Sequence, residues 1–280
     1  MIKKNYYFLV AGLPDLALDQ GKLVYGTAIF REELKNQLPE ADYRLFEMLF
    51  LPEDNRNLLT LIRKEDKPLT SAGVYPPDVL AEAVKEPGRL RPYMNRFIEG
   101  ILAENRVFPE LSLENELTAL YYEEMTGTRN GFMKEWFTFE LNLRNVMVVL
   151  SARRHNLPVE HQVIGNSAIA ETIRKSNARD LGIGSEWHWI EKVVQIAETE
   201  DILAREKATD MLRWNFLDEL NTFNYFSLEV LIAYFLKLSM IERWLQLDPA
   251  TGEEMFRRLL DTLKKSYEFP TEFSIKDGRK

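Results

Sequence analysis

The amino-acid sequence predicts an all-α protein, a multi-helical array of helical subdomains in series. Apolar residues recur at three- and four-residue steps along most of the chain, the period of a helix with one covered face. Prolines and glycines tend to fall between these stretches, where a helix has to start or stop. Alternating apolar and polar runs are scarce, and Tyr6 to Val10 is the single segment that reads as a strand.

Taken in order, residues 28–38 and 41–50 read as two short helices parted by Pro39, and a third runs from beyond Pro52 to Lys64. Pro76-Pro77 opens a helix that Pro87-Gly88 ends, since proline suits a first turn and cannot continue a helix. Between Arg91 and Asn105, Met94, Phe97, Ile98 and Ile101 share one face. Ser112 is placed to cap a helix carrying Leu113, Leu117, Leu120 and Tyr121, which Gly127 closes. Two long segments are apolar nearly all round: Phe132 to Arg154, and the stretch between Ser227 and Pro249. Helices without a wide polar face need neighbours on most sides, so these two are expected at the centre, with a charge at Val148 or Leu231 expected to unfold the chain. Glu186–Ile196 and Asp201–Asn221 read as amphipathic helices, and Asn177 to Ser185 as a loop.

Three subdomains are expected: residues 1–110 with the short strand, 111–200, and 201–280, with one continuous core as the alternative. An internal repeat is suggested by Asn57 and Asn145, 88 residues apart, each set ahead of an apolar helix ending in Arg or Lys. Asp54 lies three before the first and Asn142 three before the second. A chance match between amphipathic helices would produce the same pattern, so both readings stand.

Composition narrows the function. The 280 residues include no cysteine, which removes disulfides, thiolate nucleophiles and Cys-ligated metals and fits a reducing cytosol. The net charge is −8, and the basic stretches Arg153-Arg154 and Lys276 to Lys280 are short, so no nucleic-acid partner is expected. The apolar run Tyr6 to Ala11 ends at Gly12-Leu13-Pro14 without a cleavage pattern and is read as a first buried segment of the fold. The window Leu228 to Leu247 is broken by Glu229, Lys237, Glu242 and Arg243, so no membrane span is expected.

Catalysis needs a constellation, and the sequence offers none. His155 and His161 are six apart across Pro158, which is not the spacing of a helical metal pair, and His188 lies between two tryptophans. Gly182-Ile183-Gly184-Ser185 lacks the preceding strand and the Lys of a phosphate loop, and is read as a helix-start loop capped by Ser185. The pairs Glu32-Glu33, Glu123-Glu124 and Glu253-Glu254 point in different directions around a helix and read as solvated. No cofactor, metal or small-molecule substrate is expected. Aromatics gather at Trp214, Phe216, Phe223, Tyr225, Phe226, Tyr234, Phe235 and Trp244, as core or as anchors for a partner.

The segment Phe139-Glu140-Leu141-Asn142-Leu143-Arg144-Asn145-Val146 through Arg153 resembles that of the C-type stalk subunit of V/A-type ATPases, whose eukaryotic form is called d. There an Asp-x-x-Asn motif precedes a helix ending in Arg, and Asn142 here stands in the place of the Asp. Asp54-Asn55-Arg56-Asn57 through Arg63 is similar to the motif of that family's preceding repeat. Ser227 to Lys237, with Glu229 and Ala233-Tyr234, followed by Glu242 and Arg243, resembles its C-terminal segment. The opening Tyr6 to Leu16 is similar to a bacterial family of unassigned function encoded beside V-type ATPase genes. The chain is shorter than a typical C-type stalk subunit, and its N-terminus and Leu238-Ser239-Met240 depart from that pattern.

The resemblance implies a funnel-like socket in the central stalk of a rotary ATPase. It would sit on the membrane proteolipid ring, receive the tip of the rotor axle and pass torque during proton or sodium transport without bond chemistry of its own. Such a protein is cytoplasmic and held at the inner membrane through its partner subunits. Asp54, Asn57, Arg63, Asn142, Asn145, Arg153, Glu229, Tyr234, Glu242 and Arg243 would be motif positions with structural roles. The competing readings are an all-helical adaptor or assembly factor, and an enzyme with His161 or His188 gathered among carboxylates.

Overall fold

A computed structural model of the chain describes residues 5–159 and 161–247. Among the described residues the regular structure is helical throughout: α1 (Tyr7–Ala11), α2 (Thr27–Gln37), α3 (Glu40–Glu47), a 3-10 turn (Met48–Phe50), α4 (Leu51–Ile62), α5 (Pro77–Ala83), α6 (Pro92–Leu102), α7 (Leu113–Thr126), α8 (Gly131–Arg154), α9 (Ala168–Lys175), α10 (Ile190–Glu198), α11 (Ile202–Asn221) and α12 (Leu228–Gln246).

Local chemistry accounts for many of the boundaries. Ser112, Asn130, Ser167 and Asp201 each accept a hydrogen bond from the backbone N–H three residues on, satisfying a donor that the first turn leaves open. Three helices end in the same way. The N–H groups of Glu65, Asn105 and Leu157 reach back to Thr60, Gly100 and Ala152, at 3.0, 2.8 and 2.8 Å, across a left-handed residue. Those left-handed positions are Lys64, Glu104 and Asn156, with φ of 53°, 52° and 53°, and each forgoes the glycine that usually sits there. Other helix starts borrow carboxylates from distant elements. Glu242 of α12 accepts from the Thr27 amide and hydroxyl at the start of α2, and Glu124 of α7 accepts from the Tyr93 amide in α6 at 3.1 Å.

The packed pairs trace a closed circuit. α2 lies on α12, α12 on α11, α11 on α10, α10 on α8, α8 on α7, α7 on α4, α4 on the 3-10 turn and the turn on α3. Phe46 and Phe50 then meet Phe235 of α12 at centroid distances of 4.9 and 5.1 Å, which joins the early helices to the last described one. α5, α6 and α9 pack outside it on α4, α7 and α8. The principal core runs as one cluster from Leu18 to Met240, across the three expected subdomains. α8 and α12 supply many of its residues, including Val146, Val149, Leu231 and Ile232.

Several expectations are corrected. The strand at Tyr6 to Val10 is helix α1: the Val10 amide bonds the Tyr6 carbonyl at 2.9 Å, and the segment has no neighbouring strand to pair with among the described residues. Ser185 does not cap a helix. Ile183 is buried, the Glu186 and Trp187 amides fold back on its carbonyl, and the helix opens only at Ile190. Asn57 and Asn145 stand inside α4 and α8 instead of ahead of them. Val148 is half-buried, and its neighbours Val146 and Val149 are the fully covered positions. Helix α9 has no counterpart among the expected helices. The pair Glu253-Glu254, the stretch Lys276 to Lys280 and the end of the third subdomain lie outside the described residues.

Candidate functional site

The motif positions are spread over α4, α8 and α12, and most of them hold a different part of the chain against their helix. The side chain of Asn57 in α4 donates to the Thr70 carbonyl at 2.7 Å and accepts from the Thr70 amide at 3.0 Å. Asn145 in α8 does the same to Ile164, at 2.8 and 3.1 Å. One amide side chain thus pairs with both backbone groups of a single residue, as a neighbouring strand would. In each case the helix ends at a left-handed residue, the chain turns back, the returning loop is clasped, and a new helix starts a few residues later.

Asp54, one turn before Asn57, holds the next part of the same loop, accepting from the Val74 and Tyr75 amides at 2.8 and 3.1 Å. Burial pushes its pKa up to about 6, because removal from water penalises the charge more than the two amides relieve it. The loop passes so close that a Cβ on Gly73 would fall 2.1 Å from the Asp54 Oδ1. Arg31 of α2 closes the loop from outside, donating to the Ala72 and Gly73 carbonyls at 2.6 and 2.7 Å while lying over the Phe50 ring. Asn142, at the matching position in α8, is buried. Arg63 ends α4 and pairs at 3.6 Å with Glu114 of α7, an exposed ion pair of small energetic weight. Arg153 donates to the carbonyls of Ser176 (2.5 Å) and Ala178 (2.8 Å), fastening the segment that follows α9.

The α12 positions close the circuit. Glu229 is buried in the first turn, with the Asn130 side-chain amide at 3.5 Å. The Tyr234 hydroxyl lies 3.4 Å from that of Tyr25, and burial raises its pKa above the usual phenol value. Glu242 holds the start of α2 through Thr27. Arg243 and the Trp244 indole N–H both donate to Asp210 of α11. Arg213 bridges Asp210 to Glu140 of α8, at 3.1 and 2.8 Å. Burial works against the Arg213 charge, but the two carboxylates outweigh it and hold the guanidinium protonated more firmly than usual.

Sequence reasoning missed Arg31, Asp210 with its partners Arg213 and Glu140, and Glu116. The last is buried, accepts from the Val107 and Phe108 amides at 2.9 and 3.2 Å, and pairs with Arg106 at 2.6 Å. An Asp and an Arg three apart, at positions 210 and 213, was the one local signal available.

The aromatics divide. Phe235 is buried, Phe216 stacks on Phe139 at 4.0 Å, and Phe223 and Tyr225 are 88% and 69% exposed. His188 lies against Trp189 with ring centroids 4.8 Å apart, and it, His155 and His161 are exposed. The described residues hold no group of three or more histidine or acidic side chains placed to share a metal ion. A half-open cavity of about 730 Å³ lies beside α7 and α8. Its floor is a small apolar cluster of Leu111, Ala119, Leu141 and Ile164, and Glu110, Glu123, His161 and Arg174 are among its polar lining. The Asn145 clasp holds part of that floor, through Ile164.

No helix among the described residues is long and apolar enough to cross a membrane. The geometry defines an all-helical protein whose polar motif residues largely bind its own backbone and side chains. The chain belongs to the protein family of unknown function DUF2764, whose model matches residues 3–267. No curated protein and no solved structure matches it.

Proposed function

We propose that this chain is a non-catalytic subunit of the central stalk of a V/A-type rotary ATPase, a helical socket that couples the rotor axle to the membrane proteolipid ring. The observation that carries the reading is the repeated clasp. Asn57 and Asn145, two of the residues on which the resemblance to the C-type stalk subunit rests, make the same paired hydrogen bonds to a returning loop. That equivalence supports serial helical subdomains of common construction. The closed circuit of packed helices adds a mechanical argument. A body that passes torque has to resist shear, and close-packed helices joined from first to last deform little. The motif side chains are spent on internal ties, as a structural role for them requires.

The test is affinity purification of the tagged chain from native membranes, with mass spectrometry of what accompanies it. The stalk reading expects rotor and proteolipid subunits in amounts comparable to the chain. Trace amounts, or recovery only with partly assembled complexes, would replace it with the assembly-factor reading. Recovery of neither would remove both.

A further inference from the structure

Two segments far apart in sequence meet at the surface and present aromatic rings to solvent. α1 is apolar in all five residues and buries none of them; Phe8 is 96% exposed and Tyr7 55%. The loop between α11 and α12 adds Phe223 at 88%, Tyr225 at 69% and Phe226 at 38%. The two are held together, because the Tyr6 amide donates to the Phe226 carbonyl and the Tyr7 and Phe226 rings lie 4.7 Å apart. The Tyr6 hydroxyl fastens the pair to α3 through Asp42. At roughly 200 Å² per ring, the five aromatics expose about 700 Å², above the few hundred usual for the largest apolar patch of a monomer.

We propose that this patch is a membrane anchor that seats Phe8 and Phe223 in the interfacial layer of a phospholipid bilayer. Charge selects the occupant. Residues 5–14 and 220–228 contain no charged side chain, in a protein that is 29% charged with a net charge of −8. The exposed rings offer no charge of their own to a charged partner, and the Asp42 carboxylate beside them is engaged by the Tyr6 hydroxyl, while uncharged rings partition into a lipid interface regardless of its sign. Rings that stand almost wholly clear of the protein are free to enter the headgroup layer, with the tyrosine hydroxyls kept at its polar level. A second copy seated on the same rings is the competing occupant, and the oligomeric state tests it. The anchor does not depend on the stalk reading, and it places the chain on the bilayer directly as well as through any partner.

The experiment uses the purified full chain and phosphatidylcholine vesicles, with no other protein present. The chain is expected to float with the vesicles, and to remain bound at about 0.5 M salt because the contact is uncharged. The double variant Phe8→Ser/Phe223→Ser should lower the bound fraction at least about tenfold. Its melting temperature should match the wild type, because neither ring is buried. A Phe8→Trp variant should shift its emission to the blue when vesicles are added. The proposal is overturned if the wild type stays at the bottom of the gradient, or if the double variant floats as well as the wild type. It is equally overturned if the chain sediments as a dimer that the double variant splits. None of these results bears on recovery of rotor subunits, so the anchor and the stalk reading fail separately.

Discussion

Replacing Asn145 by alanine removes both arms of the second clasp. Ile164 is 1% exposed, so water cannot take over its amide and carbonyl once the side chain is gone. Each buried group left unpaired costs about 1–3 kcal/mol, giving roughly 2–6 kcal/mol for the substitution. At about 2–4 °C per kcal/mol, the melting temperature should fall by roughly 4–24 °C. The first clasp serves as the internal control. Thr70 is only half-buried, water can reach it, and Asn57→Ala should cost about 1–2 kcal/mol. Asn145→Asp sharpens the test. An ionised carboxylate still accepts from the Ile164 amide but cannot donate to the carbonyl, and it places a charge at a position with no exposure. The Arg144 guanidinium, 3.2 Å from the Asn145 Oδ1, would offset much of that charge, so the variant should lose the carbonyl arm, keep the amide arm and fall between the wild type and Asn145→Ala in stability. Urea unfolding followed by circular dichroism measures all three. A loss below about 0.5 kcal/mol for Asn145→Ala, or an equal loss at Asn57, would refute the reasoning that burial sets the strength of the clasp.

Asp54 gives a pH dependence. Its folded pKa of about 6 lies above the ordinary carboxylate value, so its contribution to stability is full below that ordinary value and is lost as pH rises through about 6. The stability of the wild type minus that of Asp54→Asn should therefore fall by about 2–3 kcal/mol between pH 4 and 7, and a flat difference would contradict it. Gly73→Ala would press a methyl group onto the Asp54 carboxylate and should destabilise by about 1–3 kcal/mol, with the loss reduced in an Asp54→Ala background. Equal losses in the two backgrounds would show that the contact is not the cause. Leu231→Asp should cost more than about 4 kcal/mol, because the site is fully covered, whereas Val148→Asp should be milder; chemical denaturation separates them, and the reverse order would be inconsistent with the packing.

Helices whose signals are local were legible in the sequence. Ser112 and Gly127 bound α7 as expected, and the apolar girth of α8 and α12 foretold their place in the core. Features set by distant contacts were not. The ends of α4 and α6 fall close to the expected Lys64 and Asn105, but the left-handed turn that closes each carries no glycine to mark it. α1 has the apolar run of a buried strand yet lies on the surface, because hydrophobicity alone does not say what covers a segment. The Asn-to-Asn spacing revealed the two clasping residues, whereas the residues they clasp, Thr70 and Ile164, carry no signal, since a backbone amide and carbonyl occur in almost every residue. Arg31 carried no local signal, and the Asp210–Arg213 spacing did not point to Trp244, because the partners lie as far as 42 and 34 residues away.

The most direct test of the stalk reading is a count. The intact rotary ATPase, solubilised from native membranes and purified through a catalytic subunit, should contain one copy of this chain for each proteolipid ring by quantitative mass spectrometry, and should keep it after extensive washing. A motor that hydrolyses ATP and carries its full ring but none of this chain would contradict the account.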